Sequence, residues 1–309
     1  MLASFAAAVP PGGTIVEIGT AEGATAKLMR DAAAAGVEIY TVDIAPSRIA
    51  REWLAGSGVH VIGRPSTEFA RDWTGSVGRP VDFLFIDGNH DLEHVAGDWN
   101  SWAPLVRPGG RVAFHDFDPP HRGGLAHFAV RVCGETVRRL ARLRDIAHEY
   151  KMLHGRIDAP ATAPISAPDC RDTLIAIADD VRRVLGGAQA VAIGDDPRLA
   201  ALLRVALGTS TPHDGTGVIL DSLTLCHLAE QALRRDYPGL AELPSSHAEF
   251  LVWGETLQML DHGWQGPRFP ESVPGERASL SELSSYVARE QVRLAVLSRL
   301  TALLVDRNL

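Results

Sequence analysis

The chain has 309 residues, 46% of them hydrophobic and 22% charged, which is length for two domains and apolar content for a sizeable core. Its formal net charge of −8 argues against a nucleic-acid partner, whose binders usually present a basic face, and no apolar run approaches the roughly 18 residues of a membrane span. Three cysteines, Cys133, Cys170 and Cys226, are odd in number and far apart, so neither a disulfide framework nor a cysteine zinc site is expected, and the cytoplasm is the expected compartment. The apolar start, residues 1–11, is short and lacks a basic flank, so no secretory leader is expected.

In chain order, residues 14–18 (TIVEI) predict a buried strand and 24–35 a helix. Residues 38–43 (EIYTVD) predict a second strand, 46–54 a helix, 59–62 a third strand and 67–73 a helical stretch. A fourth strand is expected over 81–86 (VDFLFI). Leu92, Val95, Trp99 and Trp102 then recur at helical spacing, with Asp91 placed as N-cap. That spacing assigns both tryptophans to the core and not to a ligand-stacking pair. Pro108-Gly109-Gly110 reads as a turn into a fifth strand over 111–114, and 147–152 with 155–157 as a closing hairpin. Strands alternating with helices predict a parallel sheet covered on both faces, an α/β, Rossmann-like doubly wound architecture.

Residues 159–169 sit in a stretch rich in Pro and Ala and read as a linker, separating a first domain, 1–158, from a mainly helical C-terminal domain, 170–309. In the second, 172–185 and 197–207 are expected as helices, 188–193 and 217–220 as short strands, and 263–276 as irregular. Ser279 with Glu282 three residues on is a capping-box pattern. It opens a long amphipathic helix with Leu283, Val287, Leu294, Leu297, Leu300 and Leu304 on or near one face. Such a stripe needs cover, either within its own domain or on another subunit.

The strand-to-helix turn Glu17-Ile-Gly19-Thr-Ala-Glu-Gly23 is a candidate ligand loop. Gly19 permits a tight turn and close backbone approach, and Gly23 close packing at the helix start. Open α/β sheets bind ligands at the carboxyl ends of their strands. Asp43, at the end of the second strand, can accept hydrogen bonds from both hydroxyls of a ribose; the alternative is a solvated cap for the next helix. The spacing ExGxxxG differs from the GxGxxG of dinucleotide sites, so NAD is not expected.

The run EIGTAEGATA, the strand-end Asp43 and the segment FIDGNHDLEHVAGDWNSWAPLVRPGGRVAFHD, in that order, resemble class I SAM-dependent methyltransferases. They are most similar to the small-molecule O-methyltransferase subgroup that includes macrolide-sugar O-methyltransferases and cephalosporin hydroxylase-like proteins. The resemblance covers residues 1–158, and because O-methyltransferases of this type are often oligomeric it implies a homodimer. It implies SAM as cofactor, with Glu17, Gly19 and Gly23 along its methionine part, Asp43 on its ribose, Ser66 or Thr67 beside the adenine, and Asp87 among the cofactor-binding residues. Ala21 stands where many such enzymes have a further glycine.

Asp87 and His90 follow the fourth strand, and His115 with Asp116 the fifth. Adjacent strands lie about 4.8 Å apart, so these groups can converge. The resemblance implies that Asp87 and the pair His115-Asp116 hold a divalent metal, and that His90 is the catalytic base. An imidazole suits the removal of a hydroxyl proton near neutral pH. A carboxylate stands at the place of His115 in magnesium enzymes of this kind, and magnesium prefers oxygen ligands. The site therefore takes Mg, a softer ion such as Mn, or no metal. His90-Asp-Leu-Glu93-His94 also matches a zinc-protease pattern, and Gly88-Asn-His90-Asp91 a phosphoesterase block, but the companion motifs of both are missing. His121 and Arg122 lie in a Pro/Gly-rich loop that commonly borders the acceptor in such enzymes; the alternative is a pair of solvated loop residues.

The expected function is transfer of a methyl group from SAM to a hydroxyl of a small polar metabolite, a sugar or natural product. Two alternatives are a methyltransferase-fold protein with other SAM-linked chemistry, and a non-catalytic binding or scaffolding subunit.

Overall fold

A computed structural model describes residues 1–117, 128–149, 151–158, 164–177 and 273–288 of the chain. The chain divides into two units. The first comprises Met1–Asp118, Ala129–Thr173 and Glu276–Ala288 and carries the whole sheet. Nearly all of the second lies outside the described residues. So do most of the expected helices and strands beyond residue 177, His121 and Arg122, and the stripe beyond residue 288.

Helix α1 (Leu2–Ala7) precedes β1 (Thr14–Ile18), α2 (Ala24–Ala32), β2 (Glu38–Asp43), α3 (Arg48–Leu54) and β3 (Val59–Gly63). Then come α4 (Ser66–Ser76), β4 (Val81–Ile86), α5 (Leu92–Trp102), a short 3-10 turn, and β5 (Val106–Phe114). Helix α6 (Phe128–Arg139) and the hairpin β6 (Leu143–Glu149) and β7 (Met152–Ile157) follow. The seven strands form one sheet in the order β3-β2-β1-β4-β5-β7-β6. β1 to β5 pair in parallel, and β7 runs antiparallel to both β5 and β6. The strand order reverses between β1 and β4, which creates a crevice at their carboxyl ends.

Side-chain alternation divides the core into two layers. On one face Ile15, Ile39, Phe83 and Phe85 pack with Ala6 and Val9 and with Met29 of α2. On the other, Tyr40 meets Trp73 edge-on at 5.0 Å, Trp73 meets Trp102 at 5.2 Å, and Trp99 stacks on Phe114 at 5.7 Å. Trp99 and Trp102 are therefore core residues, as their spacing predicted. β1 and β4 are buried along their whole length, as near-continuous apolar runs at the centre of a parallel sheet should be.

Several boundaries differ from the sequence reading. β5 starts at Val106, and Pro108-Gly109-Gly110 lies inside it. Val81 pairs with Val106 but Phe83 with Arg111, so the Pro-Gly-Gly stretch is a bulge in the strand and not a turn before it. Gly109 supports this with φ +76°, and a Cβ on Gly110 would lie 2.6 Å from Val106 Cγ1. Asp91 occupies the N-cap position of α5, but its side chain makes no capping bond; Asn89 Oδ1 accepts from the Asp91 amide at 2.7 Å. Residues 167–177 are helical, so the helix expected from 172 begins earlier. Asn100 clamps the chain just before it through both amide atoms, to Ile165 O at 2.9 Å and Ile165 N at 2.7 Å. The capping box is present: Ser279 Oγ accepts from the Glu282 amide at 3.2 Å, and Glu282 Oε2 accepts from the Ser279 amide at 2.8 Å. It opens a helix over residues 280–288 whose Leu283 and Val287 are buried.

Candidate active site

The carboxyl ends of β1, β2 and β3 build one half of the site. Gly19 has φ +95°, and a Cβ there would run into the backbone carbonyl of Asp87. Its missing side chain thus serves contact between two loops of the protein. Gly23, φ +84°, is the N-cap of α2, and a Cβ would lie 2.9 Å from Leu54 Cδ1, which is the close packing expected of it. Ala21 adopts φ +43° where a glycine would be unstrained, and Ser47 Oγ donates to its carbonyl at 3.1 Å.

Glu17 is only 1% exposed, and its Oε2 accepts from Thr41 Oγ1 at 2.6 Å. Burial pushes its carboxyl up to about 8, against the opposing pull of the Thr41 bond, and the Asp87 charge adds to the rise. The structure places Glu17 inside the sheet and not at an accessible surface. Thr41 Oγ1 lies 2.8 Å from Thr20 Oγ1, and the Thr20 amide donates to Asp43 Oδ2 at 3.1 Å. Asp43 Oδ1 accepts from the Ala45 amide at 2.9 Å. Two backbone donors therefore fix the Asp43 carboxylate at the mouth of the crevice, with acceptor capacity remaining. The next residue, Ile44, is 74% exposed, a bare apolar side chain beside that carboxylate. Sequence reasoning missed it, because an apolar residue after a strand reads as more strand.

Ser66 opens α4 just beyond β3 and is half-buried. Its hydroxyl donates to Asp98 Oδ1 of α5. Burial pushes the Asp98 carboxyl up to about 6, with the Ser66 bond and the His94 charge opposing. Thr67 turns the other way and lies 3.7 Å from where a Gly97 Cβ would be, at the packing of α4 on α5.

The ends of β4 and β5 build the other half. The Asp87 amide bonds Ile18 O at 2.8 Å and the His115 amide bonds Ile86 O at 3.0 Å, so both residues continue the sheet's ladder. Asp116 sits at φ +53°, a left-handed conformation that Asp tolerates better than most residues. The bend turns its carboxylate back toward the end of β4. His90 Nε2 lies 3.2 Å from Asp116 Oδ2. His115 Nδ1 lies 3.2 Å from Asp87 Oδ1 and 3.3 Å from Asp116 Oδ2. Lys151, at the tip of the hairpin and unsuspected from sequence, places Nζ 3.8 Å from Asp116 Oδ1.

Asp87, His90 and Asp116 bring one ligand atom each within 4.8 Å of the others, among the described residues the one trio of potential ligands so close. His115, expected as a metal ligand, is not in that trio, and His90, expected as the base, is. The hydrogen bonds to Asp116 and then to Asp87 raise the His115 imidazole to about 10, with burial opposing. It is thereby a cationic donor between two carboxylates. His94, the far end of the zinc-protease pattern, stands 3.7 Å from Asp91 at the surface and outside the trio.

Residues 16–117 match the model of a family described as a methyltransferase domain. Among solved structures, the chain is similar to an O-methyltransferase from Bacillus cereus in complex with SAH, at 18% identity over 50% of this chain and 78% of that one, with TM-score 0.42. It is similar to the O-methyltransferase TomG of Streptomyces achromogenes, involved in tomaymycin synthesis and in complex with SAM, at 18% identity over 51% and 78% of the two chains, with TM-score 0.41. The methyltransferase MycE of the mycinamycin pathway, in complex with Mg and SAH, matches at 18% identity over 50% and 48%, with TM-score 0.37. The family match spans β1 to the end of β5 and includes Glu17, Gly19, Gly23, Asp43, Ser66, Asp87, His90, His115 and Asp116. Over this segment the match agrees with the resemblance to methyltransferases read from the sequence.

Proposed function

We propose that this chain transfers a methyl group from SAM to a hydroxyl of a small polar metabolite, with a sugar or a sugar-bearing natural product as acceptor. The observation that carries the reading is the meeting of Asp87, His90 and Asp116 within 4.8 Å at the ends of β4 and β5. The fixed Asp43 carboxylate stands across the crevice, at the end of β2. The first half fits an adenosyl cofactor. Asp43 offers acceptors to a ribose diol, and the exposed Ile44 offers an apolar face to a purine. Bound SAM would supply a methyl group on a sulfonium, activated for attack by oxygen.

The second half supplies proton chemistry. His90 takes the hydroxyl proton as the oxygen attacks. Asp116, 3.2 Å from its Nε2, orients the ring and stabilises the charge it gains. The donor set also fits a divalent ion: Asp87 and Asp116 would hold it through oxygen, leaving His90 as base. Such an ion would lower the pKa of the acceptor hydroxyl and fix its direction. His115 between the two carboxylates supplies positive charge at the same place.

The test is incubation with SAM and a panel of sugars, polyols and glycosides, with release of S-adenosylhomocysteine as the readout. Turnover with a hydroxyl acceptor is expected. Turnover confined to amine acceptors, or none with any acceptor, would contradict the proposal.

A further inference from the structure

A buried carboxylate reaches the cofactor half of the site from behind. Asp98 lies on the inward face of α5 and is only 6% exposed. Its Oδ1 accepts from Ser66 Oγ, at the start of α4. Its Oδ2 faces the loop after β4, 3.5 Å from where a Cβ of Gly88 would stand. Side chains this buried normally serve structure, and an isolated carboxylate in a core is costly. Asp98 is retained beneath two loops of the crevice, with a hydroxyl as its hydrogen-bond partner.

The chemistry of that bond has a directional consequence. A carboxylate only accepts, so the Ser66 proton is committed to Asp98. What Ser66 Oγ can still offer is lone pairs. Ser66 is half-buried and follows Gly63, the residue paired with Asp43 across β2 and β3. A nucleoside whose ribose lies on Asp43 and whose base lies on Ile44 brings the edge of that base to this end of the sheet. An acceptor there welcomes a 6-amino group, which donates. It repels a 6-oxo group, which only accepts.

We infer that Asp98 is a positioning residue that locks the Ser66 hydroxyl as an acceptor and thereby makes the site select a 6-aminopurine cofactor over its 6-oxopurine counterpart. This rests on the proposed binding of an adenosyl cofactor. Burial raises the Asp98 carboxyl only to about 6, so at pH 8 it is ionised and the lock is set.

The experiment is calorimetric titration of the full chain at pH 8 with S-adenosylhomocysteine and with its deaminated analogue, S-inosylhomocysteine. The parent should prefer the adenosyl compound by roughly 10- to 100-fold, the range for a hydrogen bond exchanged for an unpaired or repelled group. Ser66→Ala and Asp98→Ala should each reduce that preference to about threefold or less, and the double variant should lose no more than either alone. Ser66→Thr, which keeps the hydroxyl, should retain it. A purely structural role for Asp98 would lower both affinities in parallel and leave their ratio intact. Should Asp98→Ala fail to fold, Asp98→Leu replaces it, being close in size and needing no partner. A parent without preference, or a folded Asp98 variant with the parent's ratio, overturns the inference while leaving the cofactor reading in place. A parent that binds neither compound overturns both.

Discussion

The ends of β1 and β2 and the ends of β4 and β5 lie side by side on one sheet, and they are built by opposite means. In the first region the polar groups are satisfied by neutral partners: Glu17 by Thr41, Thr41 by Thr20, and Asp43 by the amides of Thr20 and Ala45. In the second, His90 stands within salt-bridge distance of Asp116 and His115 of both Asp87 and Asp116, and Asp116 holds a left-handed backbone. The first region is arranged before any ligand arrives, as binding without reorganisation requires. The second concentrates charge and strain, which persist only where the surroundings over-determine them and which cluster where chemistry is done. The proposed function accordingly divides binding and reaction between the two sides of the β1–β4 crevice.

The largest effect that division predicts is at His90. His90→Ala should cut turnover by about 10²- to 10⁴-fold, the range for losing a general base, with cofactor affinity nearly unchanged. A parallel loss of affinity would show that the two halves are not separable. Chelation should lower turnover by roughly a hundredfold, with Mg or Mn restoring it. Asp87→Asn and Asp116→Asn should lose the metal response together. Full activity after exhaustive chelation would leave His115 as the neutralising charge and remove the metal from the account.

A smaller effect separates the regions by pH. The Glu17 carboxyl stands at about 8 in the folded chain against an ordinary 4.5. An acid with a raised folded pKa contributes stability that is fully present below its unfolded pKa and is lost as pH rises through the folded one. Glu17→Gln removes that dependence. Between pH 5 and pH 8 the parent should therefore lose stability relative to Glu17→Gln, by on the order of 2–4 kcal/mol across the window. Denaturant midpoints of both proteins at several pH values check this. A constant difference would mean that Glu17 is ionised in the sheet, and the first region would then be charged like the second.

Legibility in the sequence followed the range of the interactions. β1, β2 and β4 were readable to the residue because each is a bounded apolar or alternating run. Gly23 and Asp43 were readable because strand-to-helix turns impose local demands. α6 was not anticipated, although Val132, Cys133, Thr136 and Val137 are buried at helical spacing. Gly134 sits among them and lowers helix propensity; it is there because a Cβ would lie 2.7 Å from the Phe117 ring. The early start of β5 was hidden because Pro-Gly-Gly signals a turn wherever it stands, and only the paired strand reveals a bulge. The Ser66–Asp98 bond spans 32 positions, and the role of His115 depends on a backbone bend at Asp116, so neither leaves a mark in local spacing. For Gly19 the sequence identified the position, and the structure supplied the cause, a carbonyl from the neighbouring loop.

The measurement that reaches the central claim most directly is the affinity of the intact chain for S-adenosylhomocysteine before and after Asp43→Ala. The account predicts that the parent binds and that the folded variant binds more weakly by roughly 1.5–3 kcal/mol, the range for hydrogen bonds to a charged group. A folded variant with the parent's affinity, or a parent that does not bind the compound at all, would contradict it.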